Sequence, residues 1–294
     1  MLDTVSPTAV LDRKQVRLAF ERAADTYDRS AVLQREIGKR LLERLDLVTC
    51  SPRMIVDVGC GTGYCTRALH SRYRRARVIG VDIAQSMLSA ARKGASWFGR
   101  QRFVCGDAGH LPLADHIADM VVSNLTLQWC DTDSVLAEFT RVLRPGGLLM
   151  FTSFGPDTLR ELRAAWRAVD DRMHVHDFVD LHDLGDAMVR AGLAEPVMDA
   201  EHFLLTYPDV ETVLRELKAL GAHNVSRARH RGLTGKRLFA RFREAYAQQA
   251  QDGQIPASYE VVYGHAWAPT KPRSRLGGEG SAVIPLSRVT RQRR

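Results

Sequence analysis

The chain has 294 residues, 45% hydrophobic and 26% charged, enough for one α/β domain with a sizeable core and an elaborated cap. No apolar run approaches the roughly 20 residues that span a bilayer, and Met1–Val10 does not read as a secretory signal. The five cysteines (Cys50, Cys60, Cys65, Cys105, Cys130) are odd in number and form no CxxC pair. That argues against a disulfide framework or a zinc ribbon and for a reducing cytoplasm.

In chain order, residues 1–11 read as frayed, and apolar periodicity predicts helix over Arg13–Leu47. Strands and helices then alternate. Strands are predicted at Met54–Val58, Arg77–Asp82, Arg102–Cys105, Ala118–Ser123 and Leu148–Ser153, and helices at Tyr64–Tyr73, Gln85–Trp97 and Thr132–Val142. Pro145-Gly146-Gly147 reads as the stop of the last of these helices. The alternation predicts a doubly wound, seven-stranded, mostly parallel sheet. After Phe154 the texture changes. Helices are predicted at Thr158–Val169, Leu181–Ala191, Val210–Gly221 and Thr234–Gln249, with strands at Glu201–Thr206 and Tyr259–Trp267. This fits a helical cap inserted before the last strand, at about 207–255. Residues 269–294 read as a basic, disordered tail.

The net charge is +8 and is unevenly spread. Arg227–Arg243 holds seven Lys or Arg residues and no acid, and Lys271–Arg294 holds seven more against Glu279 alone. Such runs are either solvated surface or a face for an acidic partner.

Four short motifs carry ligand chemistry. Asp57-Val58-Gly59-Cys60-Gly61-Thr62-Gly63 runs from a strand through a glycine turn into a helix. Glycines permit that turn and let a ligand lie on bare backbone. The spacing is GxGxG after an acid, not the GxGxxG of a dinucleotide site. Asp82, followed by Ile83, closes the second strand, where a carboxylate can accept from two ribose hydroxyls. Asp107-Ala108 ends the third strand, with Asp107 placed to accept from an adenine amino group. Asn124 ends the fourth.

These four motifs, in this order, resemble the class I methyltransferases that use S-adenosylmethionine. The resemblance implies that Asp57, Gly59, Gly61, Gly63, Asp82, Ile83, Asp107, Ala108 and Asn124 bind that methyl donor. Asp57 then favours its cationic end, and Asn124 lies beside its methionyl part. There is no Pro-Pro after Asn124 to hold an exocyclic amine, which argues against base methylation.

A narrower resemblance spans residues 20–267. It rests on Phe20-Glu21-Arg22-Ala23-Ala24-Asp25-Thr26-Tyr27-Asp28, Leu33-Gln34, Ser123–Cys130, Phe154–Leu162, Leu217–Asn224, Gly232–Gly235 and Tyr259–Trp267. These segments are similar to the malonyl-acyl-carrier-protein O-methyltransferase family of biotin synthesis. The resemblance implies methylation of the free carboxylate of a malonyl thioester, with no metal. It divides the chain into an N-terminal helical segment (1–47), a methyltransferase domain (48–268) and the tail. A carboxylate is already a nucleophile, so the absence of a Ser-His-Asp or paired-carboxylate signature is compatible. Tyr27, Gln34, Trp129, His174 and His176 are candidates for the acyl pocket; His174-Val175-His176 has no third ligand at a metal spacing.

An acidic acyl-carrier protein would suit the run Arg227, Arg229, Arg231, Lys236, Arg237, Arg241 and Arg243. Nucleic acid is the rival occupant, since Phe239 and Phe242 interleave with it. Those aromatics fit better as the apolar face of a helix, so neither nucleic acid nor membrane is the expected partner. Two further readings are a methyltransferase for another small carboxylic acid, and a non-methylating arginine hydroxylase of the same fold.

Overall fold

The computed structural model describes residues 11–96, 99–227, 229, 232 and 234–270. Five parallel strands come first: β1 (Met54–Val58), β2 (Arg77–Asp82), β3 (Gln101–Cys105), β4 (Ala118–Ser123) and β5 (Leu143–Phe154). β6 (Ala194–Tyr207) and β7 (Ile255–Trp267) complete a seven-stranded sheet in the order β3-β2-β1-β4-β5-β7-β6. β7 runs antiparallel to both neighbours. The expected seven-stranded, mostly parallel sheet is therefore present.

Parallel strands are buried on both faces and so read as continuous apolar runs. Alternate residues feed two cores. Ile55, Met120, Leu148 and Val261 pack with Ile37, Leu41, Leu69, Leu162 and Phe242. Val56, Val121, Leu149 and Val262 pack with Val135, Phe139, Leu184 and Met188.

The predicted helix over 13–47 is three helices: α1 (Arg13–Ala23), α2 (Tyr27–Ser30) and α3 (Val32–Glu43), followed by a 3₁₀ turn at Arg44–Leu47. Thr26 causes the first break. Its hydroxyl donates to Ala23 O at 3.1 Å and Ala219 O at 2.9 Å. A side-chain bond thus competes with the helix ladder.

Next come α4 (Tyr64–Arg72), α5 (Gln85–Lys93), α6 (Thr132–Val142), α7 (Arg160–Arg167), α8 (Leu181–Arg190), α9 (Val210–Ala219) and α10 (Lys236–Ala247). α5 stops before Gly94, short of the predicted Trp97, which lies outside the described residues. α6 ends because Leu143 turns extended (ψ 137°), not because of Pro145-Gly146-Gly147. Those three residues instead lie within β5, where Gly146 has φ +76° and donates to Ala268 O. β6 is longer than predicted because it pairs with β7 over its whole length. It is the edge strand, so polar side chains and Pro196 are tolerated along it and hide the pattern.

α9 and α10 follow β6 and precede β7, where the sequence suggested a cap. Phe242 of α10 is fully buried and stacks on Trp166 at 4.0 Å, so it packs a core rather than facing a ligand outside. The tail from 271 onward lies outside the described residues.

This packing predicts that Phe242→Ala costs about 3–5 kcal/mol. The denaturant midpoint should fall with little change in the slope. An unchanged midpoint would show that α10 does not anchor the cap.

Candidate active site

The cleft lies at the carboxyl ends of β1, β2 and β4, where open α/β sheets bind ligands. Its floor is the turn after β1. Gly59 has φ +70°, and a Cβ there would lie 1.9 Å from Thr126 Oγ1. Only glycine lets the two loops touch. Gly61 has φ +52° and nothing within 4 Å of where a Cβ would stand, so its bare face is open to the cleft that it lines. Gly63 differs. At φ +83° it precedes α4, and a Cβ would meet Ala91 of α5 at 3.1 Å. It is not among the residues that line the cleft or the cavity beside it, and it lets α4 pack closely on α5.

The loop is strapped to β2. Gly59 N and Cys60 N both donate to Val81 O, at 2.8 and 3.0 Å. Gly61 N donates to Asp82 Oδ2 at 2.8 Å, and Ala84 N to Asp82 Oδ1 at 2.8 Å. Each Asp82 oxygen keeps a second lone pair for a hydroxyl. Burial raises its carboxyl to about 6 against the pull of these backbone donors. Ile83 and Ala108 line the cleft beside it. Asp107 accepts from Gly109 N at 2.8 Å and pairs with Arg13 at 3.2 Å.

Asp57 is 1% exposed and accepts from Thr66 Oγ1 at 2.5 Å. Its Oδ1 has no partner, and burial pushes the carboxyl up to about 7. It lines a small cavity beside the cleft with Tyr27, Gln34, Arg35 and Asn124. A buried acid with an orphaned oxygen suits a cationic ligand group. Asn124 lines both spaces, and its amide is already engaged, donating to Gln34 O at 3.1 Å and accepting from Thr152 Oγ1 at 2.8 Å.

The roof comes from the N-terminal helices. Arg13, Val16, Phe20 and Tyr27 face the cleft. Spacings of three, four and seven on one face carried this signal, but it reads equally as core periodicity, so Arg13 and Phe20 were not among the expected site residues. Tyr27 was expected in the acyl pocket. After the break at Thr26 it lines the cleft and the small cavity beside it, where burial and the charges of Asp82 and Asp28 push its phenol up.

A second cavity, of about 440 Å³, adjoins the first. Gln34, Trp129, His174 and His176 line it, and Trp129 also lines the cleft, so the two share a wall. Phe154, Leu162, Trp166, Phe178 and Tyr259 make it largely apolar, with Lys218 and His223 as exposed members. The two histidines differ. His174 is bound through Nε2 to Asp170 at 2.8 Å and stacks on Trp166 at 3.6 Å. His176 is 5% exposed, and burial lowers its imidazole to about 4.

Among the described residues, Asp157, His202 and Glu260 are the one group spaced to hold a metal ion. It includes neither histidine of the cavity.

A family model described as a methyltransferase domain matches residues 56–151. Two solved structures share the fold. One is the YcgJ protein of Bacillus subtilis (TM-score 0.55, 17% identity, 79% of this chain and 98% of that one). The other is an S-adenosylmethionine-dependent methyltransferase of Thermotoga maritima (TM-score 0.51, 20% identity, 86% and 99%). The chain is an S-adenosylmethionine-dependent methyltransferase, with that molecule as its methyl donor.

Full-length relatives narrow the class. A malonyl-[acyl-carrier protein] O-methyltransferase of Gallionella capsiferriformans is 50% identical over 95% of this chain and 97% of its own. That of Laribacter hongkongensis is 52% identical over 93% and 95%. The chain belongs to the malonyl-[acyl-carrier protein] O-methyltransferase family.

The geometry sets two expectations. Gly61→Val forces a β-branched residue to φ +52° and fills the open face of the turn, so donor binding should vanish while circular dichroism stays near wild type. Retained affinity would place the donor elsewhere. Asp57 makes the second. A cationic group on Asp57 favours the ionised acid, so donor affinity should rise as pH rises through about 7. Asp57→Asn should flatten that rise in calorimetric titrations; an equally steep profile would remove Asp57 from the site.

Proposed function

We propose that the chain methylates the free carboxylate of a malonyl thioester held on acyl-carrier protein, giving the malonyl methyl ester that primes pimeloyl formation in biotin synthesis. The observation that carries this is similarity of about 50% identity along almost the whole chain. The shared Trp129 wall supports it, since an acyl chain in the second cavity brings its terminal carboxylate against the donor cleft.

S-adenosylmethionine supplies an electrophilic methyl group on a sulfonium. In our reading Asp82 accepts from its ribose hydroxyls, and Asp107 from its adenine amino group, between Ile83 and Ala108. The orphaned oxygen of Asp57 receives the ammonium. Tyr27 and Asn124 close over the methionyl part. No side chain needs to remove a proton, because the carboxylate is ionised at neutral pH. The protein's work is placement and exclusion of water.

The carrier docks, in this reading, on α10. Lys236, Arg237 and Arg241 are exposed there, and none forms an ion pair with a described residue. Arg243 is paired with Glu211, and Arg229 donates to Ser226 O. Arg231 lies outside the described residues. α10 packs beside α9, which carries Lys218 on the cavity, so a carrier on α10 has a short reach to it. Carrier proteins of this kind are acidic, and a basic face steers them in. Phe242 is buried and so cannot stack on a base, which weighs against nucleic acid. Among the described residues no helix is long and apolar enough to cross a membrane. The five free cysteines fit a cytoplasmic setting.

Incubation with labelled S-adenosylmethionine and malonyl-carrier protein tests the reaction. The product should gain one methylene; a gain of oxygen on a protein arginine would support the hydroxylase reading instead. For docking, Arg237→Glu with Arg241→Glu should lower kcat/KM for malonyl-carrier protein and spare a short malonyl thioester. Added salt should narrow the gap, because charges are screened over about 8–10 Å. Equal losses on both substrates would move the carrier site off α10.

A further inference from the structure

We infer that His176 is the side chain that grips the substrate carboxylate: its Nε2–H donates to one carboxylate oxygen and holds the other in line with the methyl group. The inference rests on the carboxyl-methylation reading above.

Three observations place this atom. His176 is buried, lines the acyl cavity, and its Nε2 has no hydrogen-bond partner. Buried polar atoms are almost always paired, so an orphan on a residue of the cavity wall marks a place for a ligand atom. The ring is also at the junction of the two spaces. It lies 5.2 Å from Trp129, which walls both, and 4.8 Å from Phe178. The neighbouring His174 is committed to Asp170 and Trp166, and so offers no free Nε2.

The chemistry favours a neutral donor. A carboxylate lone pair forms the O–CH₃ bond while the S–CH₃ pair returns to sulfur. No proton moves, and an anionic and a cationic group become a neutral ester and a neutral thioether. Charge therefore falls on the way to the transition state. A guanidinium on the carboxylate would stabilise the ground state more than the transition state and slow the step. Among the described residues lining the cavity there is no arginine, and Lys218 is exposed. An imidazole whose burial keeps it uncharged at neutral pH can orient the oxygen without holding back its electrons.

The test compares wild type with His176→Phe and His176→Gln on malonyl-carrier protein. Phenylalanine keeps the ring contacts to Trp129 and Phe178 and loses the donor; glutamine keeps an N–H. The phenylalanine variant should lose roughly 2- to 10-fold in kcat/KM, the worth of one ordinary hydrogen bond, since the oxygen has given up part of its charge at the transition state. Glutamine should restore much of it. Donor affinity by calorimetry should not change, nor should inhibition by acetyl-carrier protein, which lacks the carboxylate. If the phenylalanine variant does not fold, His176→Leu serves in its place. Wild-type rates in the donor-free variant would overturn the inference. So would equal weakening of malonyl- and acetyl-carrier binding, which marks a packing role. A wild type that never methylates malonyl-carrier protein would overturn the function itself.

Discussion

The strap between the first glycine turn and the end of β2 is the constraint on which the site depends. Without Gly59 at φ +70° the turn could not lie against Thr126, and without Asp82 the N–H of Gly61 would have no acceptor. One carboxylate thus shapes the floor of the cleft and faces what lies on it. The roof is tied to the same framework. Glu21 accepts from Gln85 N and Ser86 N, at 2.8 and 2.9 Å, at the start of α5. There an acid satisfies free N–H groups and opposes the positive end of the helix. Asp28 accepts from Thr62, and Asp107 meets Arg13. The N-terminal helices are therefore fastened to loops from three strands.

Much of this was legible in the sequence, for definite reasons. The central strands are apolar on both faces, and their ends carry acids and glycines that have no place in a core. That made β1, β2 and β4 readable to within a residue. The N-terminal segment was harder, because the bond from Thr26 to Ala219 crosses nearly two hundred residues. Local periodicity ran straight through the break, so nothing local showed that Tyr27 lines the cleft and the small cavity beside it rather than the second cavity. Gly63 looked like the glycines beside it, but its neighbour is Ala91, which only the fold brings near.

The second cavity was the least legible part. Its walls come from α3, the loop after β4, the segment after β5, α9 and β7. Within each of these, the lining residues look like an ordinary apolar face. The two histidines stood out as polar residues in such a stretch. Nothing local separated them, because the partners that occupy His174 are Asp170 and Trp166, and only tertiary packing leaves Nε2 of His176 alone.

The distribution of charge follows from the reaction. The chain carries a net charge of +8, and exposed cations line α10, yet the described walls of the second cavity hold no guanidinium. Outside, in the docking proposed above, positive charge acts at a distance and would speed encounter with an acidic partner. Inside, the same charge would bind the carboxylate anion more tightly than the transition state, where that charge is being lost. An apolar chamber has the opposite effect. It disfavours the separated anion and cation and favours the neutral pair that they become. The ester then loses the strong acceptor that a hydrogen-bond donor on the wall would have held. Release follows from the same change in charge that drives the chemistry.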